Sequence, residues 1–380
     1  MKFRALCLLL LLIATVSASA AVSFSTLLAT LPTGNYPQAF VVFNGNIAVA
    51  NTNDNSVSVF VGSCTTTTCT YTPKGPWATG NGPVSIDKGH FRGPGSPFDL
   101  VTADINGGTA TVLINKGGGK FTASTFGFAA NYPKAVVVGD FNGDNYDDFA
   151  VVDGANPSAV TVYINTATCT VPTVCEPNFT PHLYALPFST LSWGIATGKF
   201  AGAGNIDLVV ANYYSQNIGK YGAAVLLNKR DGTGGFNPPT FYDGGFYAPF
   251  PATGHFTSAT QNRDDFVISN FGGVARFFHN NGPGTFTLVS AVPDGLYSTK
   301  IANAGDLNGD NLDDLVVALF GTGQVQILES GASGYAADPP ITVGTSASYT
   351  YDVSIDKLGS GINLLVVLNR GDKQLKIYGP

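Results

Sequence analysis

Short apolar runs separated by turns rich in Gly, Asp and Asn recur along the chain beyond residue 20. Each unit opens with an apolar strand, crosses a polar loop to an acidic residue, and enters a second apolar strand. A turn follows, then a third strand that often ends in Asn, then a Gly-x-Phe-like segment. Two copies nearly coincide: Ala135-VVVGDFNGDNYDDFAVVD-Gly154 and Ile301-ANAGDLNGDNLDDLVVAL-Phe320. Weaker copies start at Val84, Gly194, Pro251 and Val353, and a shortened one at Ala39. The third strands, such as TATVLIN from Thr109 and AVTVYIN from Ala159, are rich in β-branched residues with partial alternation, as half-buried strands are.

The residue before the second strand sets a ruler: Asn46, Asp99, Asp148, Asp207, Asp265, Asp314 and Asn363, at steps of 53, 49, 59, 58, 49 and 49 residues. Seven copies of a unit with about four short strands predict an all-β chain. No such unit buries both of its faces alone, and radial stacking covers them while leaving only protected edges. The expectation is a seven-bladed β-propeller over residues 21–380; a β-sandwich array suits the strand lengths but gives no reason for seven copies. The last copy stops after its third strand, at Ile377, while Val22–Pro32 resembles the fourth-strand segments. The N-terminal strand is therefore predicted to complete the last blade and close the ring.

Composition agrees. Glu176 and Glu329 are the only glutamates among 25 acidic residues, and 46 Gly and 22 Pro favour turns over helices. With 44 % hydrophobic residues the chain can bury a core, and a formal charge of −6 argues against a nucleic-acid partner. Lys2 and Arg4 precede an apolar run from Ala5 to Val16, and Ser17-Ala18-Ser19-Ala20 follow. This layout predicts a secretory signal peptide at residues 1–20, cleaved after about Ala20, and a secreted protein without membrane insertion. Export favours disulfides, and of the three pairings open to Cys64, Cys69, Cys169 and Cys175 the local ones, Cys64–Cys69 and Cys169–Cys175, are preferred.

The repeats resemble the FG-GAP/VCBS family, whose best-known members are the propellers of integrin α-subunits. The resemblance is strongest in GDFNGDNYDD and GDLNGDNLDD and covers residues 22–380. The literal Phe-Gly and Gly-Ala-Pro elements are mostly absent, so the bacterial-type VCBS form is the better match. Membership implies calcium loops in the hairpins between first and second strands, on one face, and recognition loops on the other.

The residues of those two loops point the same way. Asp140, Asn142, Asp144 and Asp148 stand at positions 1, 3, 5 and 9, with the carbonyl of Tyr146 at position 7; Asp306, Asn308, Asp310, Leu312 and Asp314 repeat the set. An all-oxygen, multi-carboxylate set suits Ca²⁺ better than Mg²⁺, and two structural Ca²⁺ sites are expected. Position 6, usually Gly in the family, is Asn145 and Asn311, which tolerate a left-handed backbone. The other copies have lost the ligands: His90, Lys199 and His255 stand at position 1.

No HExxH, Gly-x-Ser-x-Gly, P-loop or Rossmann signature occurs. Aromatic residues recur just before or at the first strand: Tyr36, Tyr132, Trp193, Tyr247, Tyr297 and Tyr351. By the family layout they face away from the calcium hairpins. With Asn51, Asp104, Asp153, Asn212, Asn270 and Asn369 nearby, they suit stacking on sugars or gripping a peptide; the bland alternative is that they wedge between blades. The expected function is a calcium-stabilised, non-catalytic recognition, adhesion or scaffold module for a carbohydrate or an extracellular protein. The alternative is a secreted carbohydrate-active enzyme, a glycoside hydrolase or polysaccharide lyase, using carboxylates such as Asp104, Asp153 and Asp243 on the propeller face.

Overall fold

The computed structural model describes residues 23–127, 132–155, 158–167, 176–186, 191–202, 204, 206–215, 220–245, 247, 250–331, 334–358 and 361–380. They form seven antiparallel sheets, the blades of a β-propeller. Strands within a blade are lettered a to d from the centre outward. Blade 3 is the regular case: Pro133–Gly139, Asp148–Asp153, Ala159–Asn165 and Phe179–Ala185. The other a strands are Pro37–Phe43, Pro83–Gly89, Ser192–Gly198, Phe250–Gly254, Ser298–Gly305 and Thr350–Lys357. They adjoin one another in order around a central channel, and the last meets the first.

Burial explains the strand chemistry. Strand b of blade 3, DFAVVD, is buried at every position because a neighbouring blade covers each face, whereas strand d, FTPHLYA, is mostly exposed. The buried apolar side chains fall into seven clusters, one in each blade–blade interface. A loop residue drives a wedge into several of them: Phe91, Phe141, Phe200 and Phe256 are all fully buried. Apolar area removed from water at these interfaces, at about 25 cal/mol per Å², is the main force holding the blades together.

The ring closes as the sequence predicts. Strand Thr26–Pro32 pairs antiparallel with Gln374–Gly379, so that Leu31 faces Leu375, and both join the cluster shared by blades 7 and 1. Two details differ from expectation. In blade 7 the slot that opens strand b holds Leu364, not Asn363; Leu364 faces Asp356 as Asp148 faces Gly139. The chain has no acid to bury there, and a leucine fills the space. In blade 6 the outer strand is broken into Ala336–Ala337 and Ile341–Thr342, both paired to Gln324–Glu329. Cys64 and Cys69 are joined by a disulfide that ties strands c and d of blade 1. Cys169, Cys175 and the predicted signal peptide lie outside the described residues.

Polar pins supplement the apolar interfaces. Between blades 5 and 6, Ser269 donates to the buried Asp294 carboxylate and meets the Ser298 hydroxyl, while the second Asp294 oxygen, Oδ1, has no hydrogen-bond partner. Burial pushes the Asp294 carboxyl up to about 7, only partly opposed by the Ser269 bond. A carboxyl raised on folding adds stability below its unfolded range and loses it as pH climbs through its folded value. Urea melts at pH 5 and pH 8 are expected to show wild type losing stability, relative to Asp294→Asn, by on the order of 3 kcal/mol. A difference between the two proteins that does not change with pH contradicts this.

Candidate functional site

The hairpins between strands a and b lie at one end of the blades, and the segments leading into strand a lie at the other. In blade 3, Gly139 pairs with Asp148 at the hairpin end and Pro133 with Asp153 at the opposite end. The residues of the two acid-rich loops and the aromatic residues therefore occupy opposite faces.

On the hairpin face, the acid opening strand b is a structural pin. Asp148 is fully buried and accepts from the Phe141 N–H (2.8 Å) and from the Asn165 N–H (2.7 Å), tying the a–b loop to the end of strand c. Asp207, Asp265 and Asp314 make the same pair of bonds, the second from Asn228, Asn280 and Ser330. The asparagine then reaches across: Asn165 donates to Phe91 O, Asn228 to Phe141 O and Asn280 to Phe200 O, each in the preceding blade.

What compensates the buried charge differs from blade to blade. In blade 2 the guanidinium of Arg92, 2 % exposed, grips both oxygens of Asp99. In blade 4 Arg230 reaches Asp207 at 3.2 Å. In blade 5 Asp265 receives Gln261 and Thr257 and has His279 at 3.4 Å. In blades 3 and 6, among the described residues, no cation pairs with Asp148 or Asp314. These are the two blades whose loops carry further acids. Burial, reinforced by the Asp144 and Asp140 charges, drives the Asp148 carboxyl up to about 8 despite its backbone bonds.

Both loops have one shape. Asp140 accepts from the N–H groups of Gly143, Asp144 and Asn145, and Asp306 does the same with Gly309, Asp310 and Asn311. Asn145 and Asn311 adopt the left-handed φ of 68° and 67° that position 6 requires. Asn142 is tied to Asp144, while Asn308 donates to Ser330 O. The backbone of Tyr146 and of Leu312 donates to Asp144 and Asp310. Among the described residues, no three carboxylate, imidazole or thiol groups converge at metal-binding distance. The donor set nonetheless fits a hard dication: carboxylate, amide and carbonyl oxygens only, next to a buried acid without a protein counterion. Of the position-1 histidines, His90 is held by Ser96 O and Phe98, and His255 lies 3.5 Å from Asp264.

On the opposite face, seven equivalent backbone bonds fix the approach to strand a. A residue at or just beyond the collar end of strand b donates to a carbonyl in the segment leading into strand a, from Thr52 to Tyr36, Gly154 to Tyr132, Tyr213 to Leu191, Phe271 to Tyr247, Phe320 to Tyr297 and Arg370 to Tyr349. In blade 2 the accepting residue is Gly82. Tyr36, Tyr247, Tyr297 and Tyr349 hold a left-handed backbone there, a conformation free of strain for Gly82 but costly for tyrosine. Tyr36, Tyr132, Tyr297 and Tyr349 are more than 40 % exposed.

Trp193 and Tyr351 occupy another position. A β-bulge lies at the second residue of strand a in six blades, at Gln38, Val84, Lys134, Trp193, Thr299 and Tyr351. Bulges re-aim side chains, and all six of these residues line the channel, a cavity of about 470 Å³. Tyr349, Tyr213, Phe271 and Phe320 complete an aromatic collar that the sequence reading missed: Tyr213 stacks on Tyr247 at 4.5 Å and Phe320 on Tyr349 at 5.0 Å. For Tyr213, Phe271 and Phe320 the signal is an aromatic residue at or just beyond the collar end of strand b in blades 4, 5 and 6.

The Asn and Asp residues expected beside the aromatics are not available to a ligand. Asn51, Asp104, Asp153, Asn212, Asn270 and Asn369 are buried. Asp104 accepts from Thr102, Thr109 and Thr111, and Asp153 from the N–H groups of Tyr132 and Ala155. In their place the collar carries cations. The Lys134 ammonium lies 4.2 Å from the Tyr132 ring centroid and 4.7 Å from that of Trp193; Arg370 lies 4.4 Å from Tyr36 and 4.1 Å from Tyr351.

No protein-family model matches the chain, and no curated protein is similar to it. Solved structures do match in fold. BBS1N from a complex with ARL6DN aligns with a TM-score of 0.59 at 12 % identity, covering 94 % of this chain and 97 % of that one. Saccharomyces cerevisiae Sqt1 aligns at 0.58 and 12 % identity, over 94 % and 100 %. A Lactobacillus plantarum protein aligns at 0.58 and 13 % identity, over 84 % and 87 %. Identities this low extend to the fold alone.

The Arg92–Asp99 pair offers a check on charge compensation. Arg92→Met leaves a buried carboxylate without its counterion and is expected to cost about 3–5 kcal/mol. Adding Asp99→Asn is expected to restore most of that loss in a chemical melt; equal stability of the single and double variants contradicts the assignment.

Proposed function

We propose that the chain is an exported, calcium-stabilised recognition module of the FG-GAP/VCBS type, without catalytic activity, that binds its ligand at the aromatic collar. The observation carrying the recognition reading is the collar itself. Tyrosines are held exposed around one channel mouth in a backbone conformation that costs stability, which a purely structural wedge does not call for. Asn51, Asp104, Asp153, Asn212, Asn270 and Asn369 are buried, so recognition falls to rings and cations. The ligand is a carbohydrate or an extracellular protein, met after export directed by residues 1–20.

Calcium serves structure in this reading. It supplies in blades 3 and 6 the positive charge that Arg92 and Arg230 supply in blades 2 and 4. Asp140, Asn142, Asp144, Asp148 and the Tyr146 carbonyl hold one ion; Asp306, Asn308, Asp310, Asp314 and the Leu312 carbonyl hold the other. Neutralising the loop carboxylates stabilises the loop only while the ion is bound, so stability follows free Ca²⁺.

Two measurements test this. Titration of metal-free protein is expected to show two Ca²⁺ sites, each adding about 2.7 kcal/mol at a hundredfold excess over its Kd. Asp140→Ala and Asp306→Ala each remove one site, and a melt indifferent to Ca²⁺ refutes the role. Screening against glycans, peptides and matrix proteins is expected to find a ligand whose binding falls at least tenfold with Tyr132→Ala or Trp193→Ala while the melt is unchanged. Binding untouched by both variants places recognition elsewhere.

A further inference from the structure

Three cations line the central channel: Lys134, Lys300 and Arg370. Among the described residues none of them has a carboxylate within ion-pair distance. Lys134 and Lys300 also donate no hydrogen bond, and the close contacts of the Lys134 ammonium are the two aromatic rings.

The channel's two acids, Asp87 and Asp352, feel the Lys300 charge but form no ion pair with any of the three among the described residues. Asp87 accepts from the Lys88 N–H (2.8 Å) and the Val138 N–H (2.9 Å). Asp352 accepts from the Val353 N–H (2.9 Å) and the Phe40 N–H (3.0 Å). In each case one bond runs to strand a of the next blade, where adjacent a strands exchange no ladder bonds. Both carboxylates are stitches between blades. Three cations against two acids leave the channel with a surplus of positive charge in a chain of formal charge −6.

Burial alone lowers the Lys134 ammonium to about 8, because nothing on the protein compensates its desolvation. An entering anion would provide that compensation. The guanidinium of Arg370, held against Tyr36 and Tyr351, offers the fork that matches a carboxylate. A cavity of about 470 Å³ is in the range of small-ligand sites, and the collar offers ring faces around it.

Resting on the recognition reading above, we infer that the channel mouth selects a single carboxylate-bearing ring unit, a free organic acid or the acidic terminal unit of a glycan, with its carboxylate drawn to the Lys134 side of the channel and Arg370 adding to the positive field. Charge is thus the specificity element, and the collar supplies apolar contact.

The test uses the full chain with glucuronate and glucose, which share a ring and differ in charge. Glucuronate is expected to bind at least tenfold more tightly than glucose, with an affinity that falls as salt rises. Lys134→Met is expected to abolish most of that preference at an unchanged melting temperature, and Lys134→Arg to keep it. Lys300→Met serves as a second charge deletion should Lys134→Met unfold. An oligosaccharide ending in glucuronate that binds more tightly than the free acid assigns the source as a glycan; equal affinity assigns a free acid. Equal binding of glucose and glucuronate overturns the inference, as does a preference that survives both charge deletions. Binding of hexaglutamate without glucuronate overturns it in favour of an acidic peptide. A neutral ligand lost on Trp193→Ala, with no preference for charge, leaves collar recognition standing and removes this inference alone.

Discussion

The ring depends on a buried carboxylate placed where strand b begins. From that spot one side chain can reach the a–b loop and the end of strand c together, which no backbone ladder bond does. Asp148 shows the arrangement in full, and the neighbouring Asn165 extends it to the preceding blade. Such a pin is useful only if its charge is answered, since an unpaired buried carboxylate costs several kcal/mol. The variety on the hairpin face follows from that demand. Arg92, Arg230, and Gln261 together with His279 are different answers to one electrostatic problem, and in the two acid-rich loops no such protein partner is found among the described residues.

Blades 7 and 1, which meet where the ring closes, do without the pin. Leu364 fills the slot in one, and Asn46 in the other accepts only from the Gly62 N–H at 3.3 Å. Their interface instead gathers Leu31, Leu358, Leu364, Leu368, Leu375 and Ile377 with Val42, Ile47 and Phe60. An apolar seam suits a junction made between the two ends of the chain: it needs no alignment of donors and acceptors before docking, and it grows with the area buried.

Much of this was legible in the sequence because repetition multiplies a weak signal. One GDFNGDNYDD stretch is a turn; seven strand–loop–strand units at near-constant spacing are a ring, and a missing last strand points to the chain's beginning. The left-handed Asn145 and Asn311 were legible from loop position alone. The collar was only half legible. Tyr36, Tyr132, Tyr247 and Tyr297 share one backbone position, but Trp193 and Tyr351 stand two residues further on, at a bulge that period-two reasoning does not see. The same blindness hid Lys134, which in sequence is an ordinary strand lysine beside Tyr132-Pro133. Asn51, Asp104 and Asn369 misled because a polar residue at a strand end reads the same whether it faces a ligand or caps its own turn.

The two faces differ in how their acids are held. On the hairpin face the two acid-rich loops have no protein cation paired with Asp148 or Asp314 among the described residues. On the collar face Asp153 is held by backbone N–H groups and Asp104 by threonine hydroxyls, while Lys134 and Arg370 stand against aromatic rings. A lysine over tyrosine and tryptophan recovers only part of its lost hydration, about 0.5–2 kcal/mol by such contacts, so its placement is stable but unfinished. Because strand a runs from the collar to the hairpins in every blade, whatever tightens one end of a blade is mechanically continuous with the other. Lys134 and Asp140 illustrate this: they are separated by one strand, Pro133–Gly139, and serve opposite faces of the same blade.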